Sequence, residues 1–295
     1  MSLITPFRTA PVRVNGISLS YREWPGDKGP ILCLPSFAGH KGSFDRLAQA
    51  LAPDYRVIAL DLRGRGDSDK PEQGYGFAYH ARDILAFMQQ LGIESFAIVG
   101  HSFGATLGTY LASIRPSRVK AIVLLEGGAD PTERVLEAIR PTLVHLETRF
   151  PSMDAYLEVM REMPFYATQW GGMLETYLRE DVHVLEGGAV QPKACAPALH
   201  QDLDLHSLYS MCLHFPAMAC PALFVRAGEG LLGGQRGHIF SEAETDAIVR
   251  WIPQGRRIDL PGVNHFTLLL NDHGLLNDPV KMFFDQAAGS SPGSV

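Results

Sequence analysis

Short apolar runs alternate with amphipathic stretches along residues 12–125 of the chain. The runs are rich in Val, Ile and Leu, which is typical of buried strands, and the stretches between them carry apolar residues at three- and four-residue spacing, which predicts helices. The predicted strands are 12–14, 17–24, 31–34, 56–60, 95–99 and 119–125, and the predicted helices are 44–51, 78–91 and 103–114. This alternation indicates a mostly parallel sheet with helices on both faces.

The pattern changes after residue 130, where a long segment shows helical spacing and no convincing strand. The alternation resumes with two strands at 222–227 and 257–260. The sequence therefore predicts an α/β fold with a mostly parallel eight-stranded sheet and a helical cap insertion. We assign residues 1–130 and 217–295 to the sheet domain and residues 131–216 to the cap.

The predicted cap is rich in methionine and aromatic side chains, which suit the lining of an apolar pocket. Each of them could equally belong to the cap's own core. As a group they favour an apolar or aromatic substrate. We predict that Met163, Phe165, Tyr166 and Trp170 contact it.

Composition and charge narrow the class of protein. With 46% hydrophobic residues, the 295-residue chain can bury a large core. Its 26 basic and 32 acidic residues give a net charge of −6 without a Lys/Arg cluster, which argues against a nucleic-acid partner and for a small, uncharged or weakly charged substrate. The sequence leaves a homodimer open.

The four cysteines show no pairing typical of a disulfide framework or a zinc site. The chain start lacks the pattern of a signal peptide, and nowhere do eighteen apolar residues follow one another. We therefore expect a cytoplasmic protein that has no membrane partner and requires no metal or cofactor.

The predicted strand 95–99 leads directly into Gly-His-Ser-Phe-Gly, a G-x-S-x-G motif centred on Ser102. A strand that reverses sharply into a helix strains the turn, and glycines keep side chains out of the crowded positions. The serine hydroxyl then projects from the carboxyl edge of the sheet. This context nominates Ser102 as a nucleophile.

His265 lies in the loop after the last predicted strand. A structural role is the default for any single histidine, but loops that follow parallel strands share one edge of the sheet. His265 should therefore lie near Ser102 and act as its general base. Geometry also predicts an oxyanion hole, formed by the backbone N–H of Phe103, just after the nucleophile, and by that of Phe37, after the strand 31–34.

The G-x-S-x-G motif, the loop 63–68, the helical insertion and the late His265 together resemble the α/β-hydrolase superfamily over residues 12–287. The resemblance implies a serine hydrolase with a catalytic triad. In that superfamily the triad acid often follows the strand after the cap, in a stretch similar to G-x-x-D, but this chain has Leu231 at the Asp position.

The acid must then come from elsewhere, and Glu126 is the best-placed candidate. It directly follows the strand 119–125, which a single crossover helix joins to the nucleophile strand, so the two strands should be neighbours. Some lactone hydrolases of the superfamily also carry the acid after this strand. Glu229 and Asp130 are the alternatives.

These residues predict acyl transfer through Ser102, His265 and Glu126, and hydrolysis of an ester, lactone, thioester, amide or activated carbon–carbon bond. Two other classes stay open. Cofactor-free dioxygenases of the superfamily pair a similar Ser–His couple with an acid after the same strand, and His101 beside Ser102 would contact the substrate there. Hormone receptors of this fold retain an intact triad for ligand binding alone.

Overall fold

A computed structural model describes residues 5–130, 136, 143, 145–167, 169–206, 209–231, 234 and 236–289. These residues form ten strands: β1 (Arg8–Val14), β2 (Ile17–Trp24), β3 (Lys28–Leu34), β4 (Tyr55–Leu60), β5 (Phe96–His101), β6 (Val119–Leu125), β7 (Val182–Val184), β8 (Val190–Pro192), β9 (Ala222–Ala227) and β10 (Gly255–Leu260). The same residues include nine α-helices: α1 (Asp45–Leu51), α2 (Phe77–Gln90), α3 (Phe103–Ile114), α4 (Met153–Glu162), α5 (Pro164–Ala167), α6 (Gly172–Glu180), α7 (Ala196–His206), α8 (Glu242–Trp251) and α9 (Asn277–Gly289).

Eight of the strands form one sheet in the order β1-β2-β4-β3-β5-β6-β9-β10. The first two are joined by Asn15-Gly16, whose φ angles of 49° and 86° suit a tight hairpin turn. Strand β2 is antiparallel to β1 and β4, and the remaining pairs are parallel. The predicted α/β architecture and its mostly parallel eight-stranded sheet are confirmed.

The central strands are apolar throughout because both of their faces are covered. In β3, Leu32 and Leu34 belong to one core cluster, with residues of α2 and α3. Ile31 and Cys33 point the other way, into a second cluster with residues of α1 and α9. This two-sided burial holds the carboxyl ends of β3, β5, β6 and β9 side by side.

The described part of the cap contains helices α4 to α7. It also contains a two-stranded antiparallel sheet, formed by β7 and β8, so the prediction of a strand-free insertion is wrong here. Each strand has only three residues, too few for a hydrophobic period to be read from the sequence. Most of the predicted cap between residues 131 and 144 lies outside the described residues.

A buried ionic cluster joins cap and core. Asp202 of α7 lies 2.6 Å from Arg65 Nη1 and 2.9 Å from His80 Nε2, and all three side chains are fully buried. Asp202 thus belongs to a buried ion pair, and no cluster of three or more His, Cys, Asp or Glu side chains suited to a metal occurs in the described ranges. None of the described helices is both long and apolar enough to span a bilayer.

Candidate active site

The nucleophile candidate occupies a strained turn between β5 and α3. Ser102 has φ 53° and ψ −115°, a backbone conformation that residues other than glycine rarely adopt. A Cβ atom at Gly100 would collide with the backbone of the first helical turn, and one at Gly104 would collide with the carbonyls that end β3. The two glycines are therefore required for the close approach of strand, turn and helix.

The residue after β6 occupies a second strained turn. Glu126 has φ 46° and is only 3% exposed. Its Oε1 accepts a hydrogen bond of 2.8 Å from the Ala227 N–H of the neighbouring strand β9. Its Oε2 lies 3.5 Å from His265 Nδ1.

The two turns touch each other. A Cβ atom at Gly127 would collide with the backbone of Ser102, and the Ser102 N–H donates to the Leu125 carbonyl at 2.9 Å. The turn that carries Glu126 and the turn that carries Ser102 are therefore packed backbone to backbone.

The loop after β10 presents His265 to this edge. The side-chain oxygen of Asn264 accepts from the N–H groups of Phe266 at 3.0 Å and Thr267 at 3.1 Å, which fixes the loop. Burial lowers the pKa of His265 to about 4, so its imidazole is neutral near pH 7 and can accept a proton.

Burial acts in the opposite direction on the carboxyl group. It raises the pKa of Glu126 to about 7, against the hydrogen bond from Ala227, which favours the ionised form. The Glu126 carboxyl group is therefore poised between its neutral and its charged state at physiological pH, beside a neutral His265. This is the electrostatic setting expected of catalytic acid–base groups.

The other acid candidates are engaged elsewhere. Glu229 accepts from Gln169 Nε2 at 3.1 Å. Asp130 accepts from the Met211 N–H at 2.8 Å and so holds the cap segment that follows α7. Neither makes a recorded contact with His265, and Leu231 is a buried apolar residue.

The predicted oxyanion loop is held by an arginine from the loop 63–68. Arg65 Nε donates to the Phe37 carbonyl at 3.0 Å, which fixes the peptide after Phe37. Its guanidinium carbon lies 5.6 Å and 5.3 Å from the ring centres of Phe37 and Phe103. Phe103 begins α3, where backbone N–H groups point out of the helix end.

A cavity of about 130 Å³ lies at this edge of the sheet. An engineered cavity of about 150 Å³ holds benzene, so a cavity of this size can hold about one aromatic ring. Its described lining includes Ser102, His265 and Phe37.

Three of the four cap residues predicted to contact substrate, Met163, Phe165 and Tyr166, also line this cavity. Trp170 does not: its ring packs under the Arg161 guanidinium at 4.8 Å. His101 also lies outside the cavity, and its Nε2 is 2.9 Å from the His265 carbonyl oxygen. His101 therefore braces the loop that carries His265, and the lining of this cavity does not support its predicted contact with substrate. Asp181 and His145 line the cavity and were missed, because no local pattern marks them.

The family model described as alpha/beta hydrolase fold matches residues 29–183. This chain belongs to the α/β-hydrolase fold family. It is 28% identical over 258 residues, 84% of this chain and 88% of the other, to a protein of Klebsiella pneumoniae (strain 342) named "Putative carbamate hydrolase RutD". It is 30% identical over 176 residues, 59% of this chain and 62% of the other, to the non-heme chloroperoxidase of Streptomyces lividans.

Solved structures show the same fold for this α/β-hydrolase. The E-2-(acetamidomethylene)succinate hydrolase superposes with a TM-score of 0.84 at 22% identity, covering 95% of this chain and all of that one (100%). The enol-lactonase of Burkholderia xenovorans LB400 gives 0.74 at 20% identity, covering 94% of this chain and 100% of its own. Fold and relatives together support the predicted enzyme class, a hydrolase.

Proposed function

We propose that this α/β-hydrolase cleaves an ester, lactone or related carbonyl bond of a small, apolar or aromatic substrate through a Ser102–His265–Glu126 triad. One observation carries the proposal. Ser102 and His265 line the same cavity, and the carboxylate of Glu126 lies 3.5 Å from the far ring nitrogen of His265. The relatives named for carbamate and enol-lactone hydrolysis support acyl transfer to water.

The reaction follows from these positions. His265 Nε2 takes the proton of the Ser102 hydroxyl while the serine oxygen attacks the substrate carbonyl. In the reacting enzyme the Glu126 carboxylate would close the 3.5 Å distance to Nδ1 and accept a hydrogen bond from Nδ1–H, which selects the tautomer with a free Nε2 and stabilises the imidazolium that forms. His265 then protonates the leaving group. A water molecule, deprotonated in turn by His265, releases the acid from the acyl-enzyme.

The backbone N–H groups of Phe103 and Phe37 are proposed to bind the oxyanion of the tetrahedral intermediates. One such donor typically contributes about 10² to 10³ in turnover because it meets the developing charge without reorganisation. The bond from Arg65 to the Phe37 carbonyl would hold the following peptide, and with it the position of Phe37, in place.

A fluorophosphonate probe tests the nucleophile directly, since it labels an activated serine covalently. We expect labelling of the wild type and of Ser117→Ala, a matched control at an exposed serine, and none of Ser102→Ala. Hydrolysis of short p-nitrophenyl esters should fall by about 10⁶ in Ser102→Ala, as for loss of the nucleophile in another triad enzyme. A wild type that neither labels nor turns over any ester or lactone would overturn the proposal.

A further inference from the structure

Asp181 is a carboxylate on the wall of the candidate active-site cavity. It follows the last residue of α6, and its backbone N–H is held by the carbonyls of Tyr177 and Leu178 at 3.1 Å and 3.2 Å. Its side chain lines the same cavity as Ser102 and His265. Asp181 has no role in the triad proposed above.

The carboxylate is poorly compensated by its surroundings. The recorded side-chain hydrogen bond that it accepts comes from Tyr156 Oη at 3.4 Å, well beyond the usual length of about 2.7 Å for a hydroxyl donor. The nearby cation, Lys193, places its Nζ 2.7 Å from Asp67 instead. Burial raises the pKa of Asp181 to about 7, and Lys193 and Tyr156 only partly oppose this shift.

Charge on the cavity wall has one sign. Lys and Arg are absent from the described lining residues, among which Asp181 is the carboxylate and His145 and His265 are the imidazoles. A substrate with its own carboxylate would meet Asp181 without a matching cation. A substrate with an N–H or O–H group would supply a shorter hydrogen bond than the 3.4 Å contact from Tyr156.

Tyrosines complete the surroundings. Tyr156, Tyr166 and Tyr177 line the cavity together with Asp181. Tyr177 is held by a parallel stack on the ring of His40, with centres 4.3 Å apart. Aromatic faces and phenol oxygens both attract a cation, and the attraction grows when water is excluded.

We propose that Asp181 determines substrate specificity: it selects substrates in which the group held by the cavity carries a hydrogen-bond donor, an ammonium above all and a hydroxyl second. Substrates with a carboxylate at the same place are rejected. The inference rests on the function proposed above, since it concerns the same cavity.

Substituted phenylboronic acids test the inference, because boron bonds reversibly to an activated serine and one ring matches the volume of the cavity. The series consists of 3-aminomethyl-, 3-hydroxymethyl-, 3-ethyl- and 3-carboxyphenylboronic acid, whose inhibition constants are measured against p-nitrophenyl acetate at pH 8. We expect the aminomethyl compound to bind tightest and the carboxy compound weakest. The difference between them should be tenfold or more, about what a hydrogen bond to a charged group contributes.

Asp181→Asn should reduce this aminomethyl-to-carboxy ratio by about tenfold. The amide keeps the shape of the side chain, so the ratio of inhibition constants, rather than the rate of p-nitrophenyl acetate hydrolysis, is the quantity that reports the loss of the charge. The matched control is Asp154→Asn, which removes the same charge from an exposed cap position and should leave the ratio unchanged.

The outcomes separate the inference from the proposed function. If the boronic acids inhibit but the wild type prefers the ethyl or carboxy compound, the inference is overturned while the hydrolase remains. It is also overturned if the ratio is equal in wild type and Asp181→Asn. If no boronic acid binds and the fluorophosphonate does not label Ser102, the proposed function fails and the inference fails with it. The wild-type order decides even if Asp181→Asn does not fold.

Discussion

Two regions of the described structure bury charged groups in contrasting ways. At the junction of core and cap, Asp202 receives the Arg65 guanidinium, the His80 ring and the Gly76 N–H, all within 3.0 Å. Burial alone would raise the pKa of Asp202, but His80 and Arg65 outweigh it and hold the pKa well below its usual range. At the sheet edge, Glu126 has one backbone N–H at 2.8 Å and an imidazole at 3.5 Å, and its pKa is raised to about 7.

The two carboxylates differ in how well their surroundings compensate the charge, and this difference separates a structural charge from the charge proposed to act in catalysis. Asp202 is compensated on every side, so its ionised form stabilises the folded state. The Glu126 carboxylate is compensated only in part, so its ionised form lowers the free energy of unfolding and gains a full partner only when His265 becomes an imidazolium. We expect substitutions in the two regions to affect different measured quantities.

The largest expected effect is on turnover. Glu126→Gln should lower kcat by up to about 10⁴, because the amide N–H would donate to His265 Nδ1 and favour the tautomer that cannot accept the serine proton. The free energy of unfolding at pH 8 should equal or exceed that of the wild type, since a buried charge is removed. Steady-state kinetics and urea unfolding measure the two quantities.

Glu229→Gln is the matched control, because it makes the same change at the alternative acid. Its kcat should stay close to that of the wild type. A loss in Glu229→Gln that equals the loss in Glu126→Gln would contradict the assignment of the triad acid.

At the junction, Asp202→Asn should act mainly on stability. Loss of one partner of a buried ion pair lowers the free energy of unfolding by about 3–5 kcal/mol, because Arg65 would be left buried without its counter-charge. The folded-state pKa of Asp202 is depressed, so its contribution is present above the unfolded value of about 3.9 and lost as the pH falls below it. The deficit of Asp202→Asn in urea unfolding should therefore be larger at pH 7 than at pH 3.

Asp27→Asn, which makes the same change at an exposed position between β2 and β3, is the control for stability and should unfold like the wild type. Equal midpoints for Asp202→Asn and Asp27→Asn would show that the junction is not the structural region inferred here.

The smallest expected effect concerns pH. The raised pKa of Glu126 predicts that kcat/KM falls about tenfold per unit as the pH drops below about 7, because the protonated acid no longer stabilises the imidazolium. His265, with its pKa lowered to about 4, would by itself keep activity down to that pH. A profile of kcat/KM between pH 5 and 9 distinguishes the two. A profile that stays flat down to pH 5 would assign control to His265 alone, and Glu126→Gln should lose the limb near 7.

Much of the core was predictable because local sterics and two-sided burial leave clear traces in the sequence. Gly100, Ser102 and Gly104 sit in a turn that only such residues allow, and the apolar runs of β3 to β6 mark strands covered on both faces. The neighbouring positions of β5 and β6 follow from a single crossover helix.

The residues that line the cavity could be predicted only in part, because the direction of each side chain depends on long-range packing. Trp170 shares its aromatic character with Tyr166, yet Tyr166 faces the cavity and Trp170 packs against Arg161. Asp181 ends a helix without any motif, and Arg65 reaches Phe37 across 28 residues of sequence. The composition of the predicted cap indicates a pocket, but it does not show which residues line that pocket.

The contact between Gly127 and the backbone of Ser102 has a consequence for engineering this enzyme. A single added methyl group at position 127 would displace the peptide that orients Ser102, although glycine at 127 has no side chain that could take part in a reaction. Libraries that vary residues 100–104 while keeping 126–127 fixed, or the reverse, would sample mostly mismatched halves. Substitutions in the turn at residues 100–104 and in the turn at residues 126–127 therefore have to be chosen together.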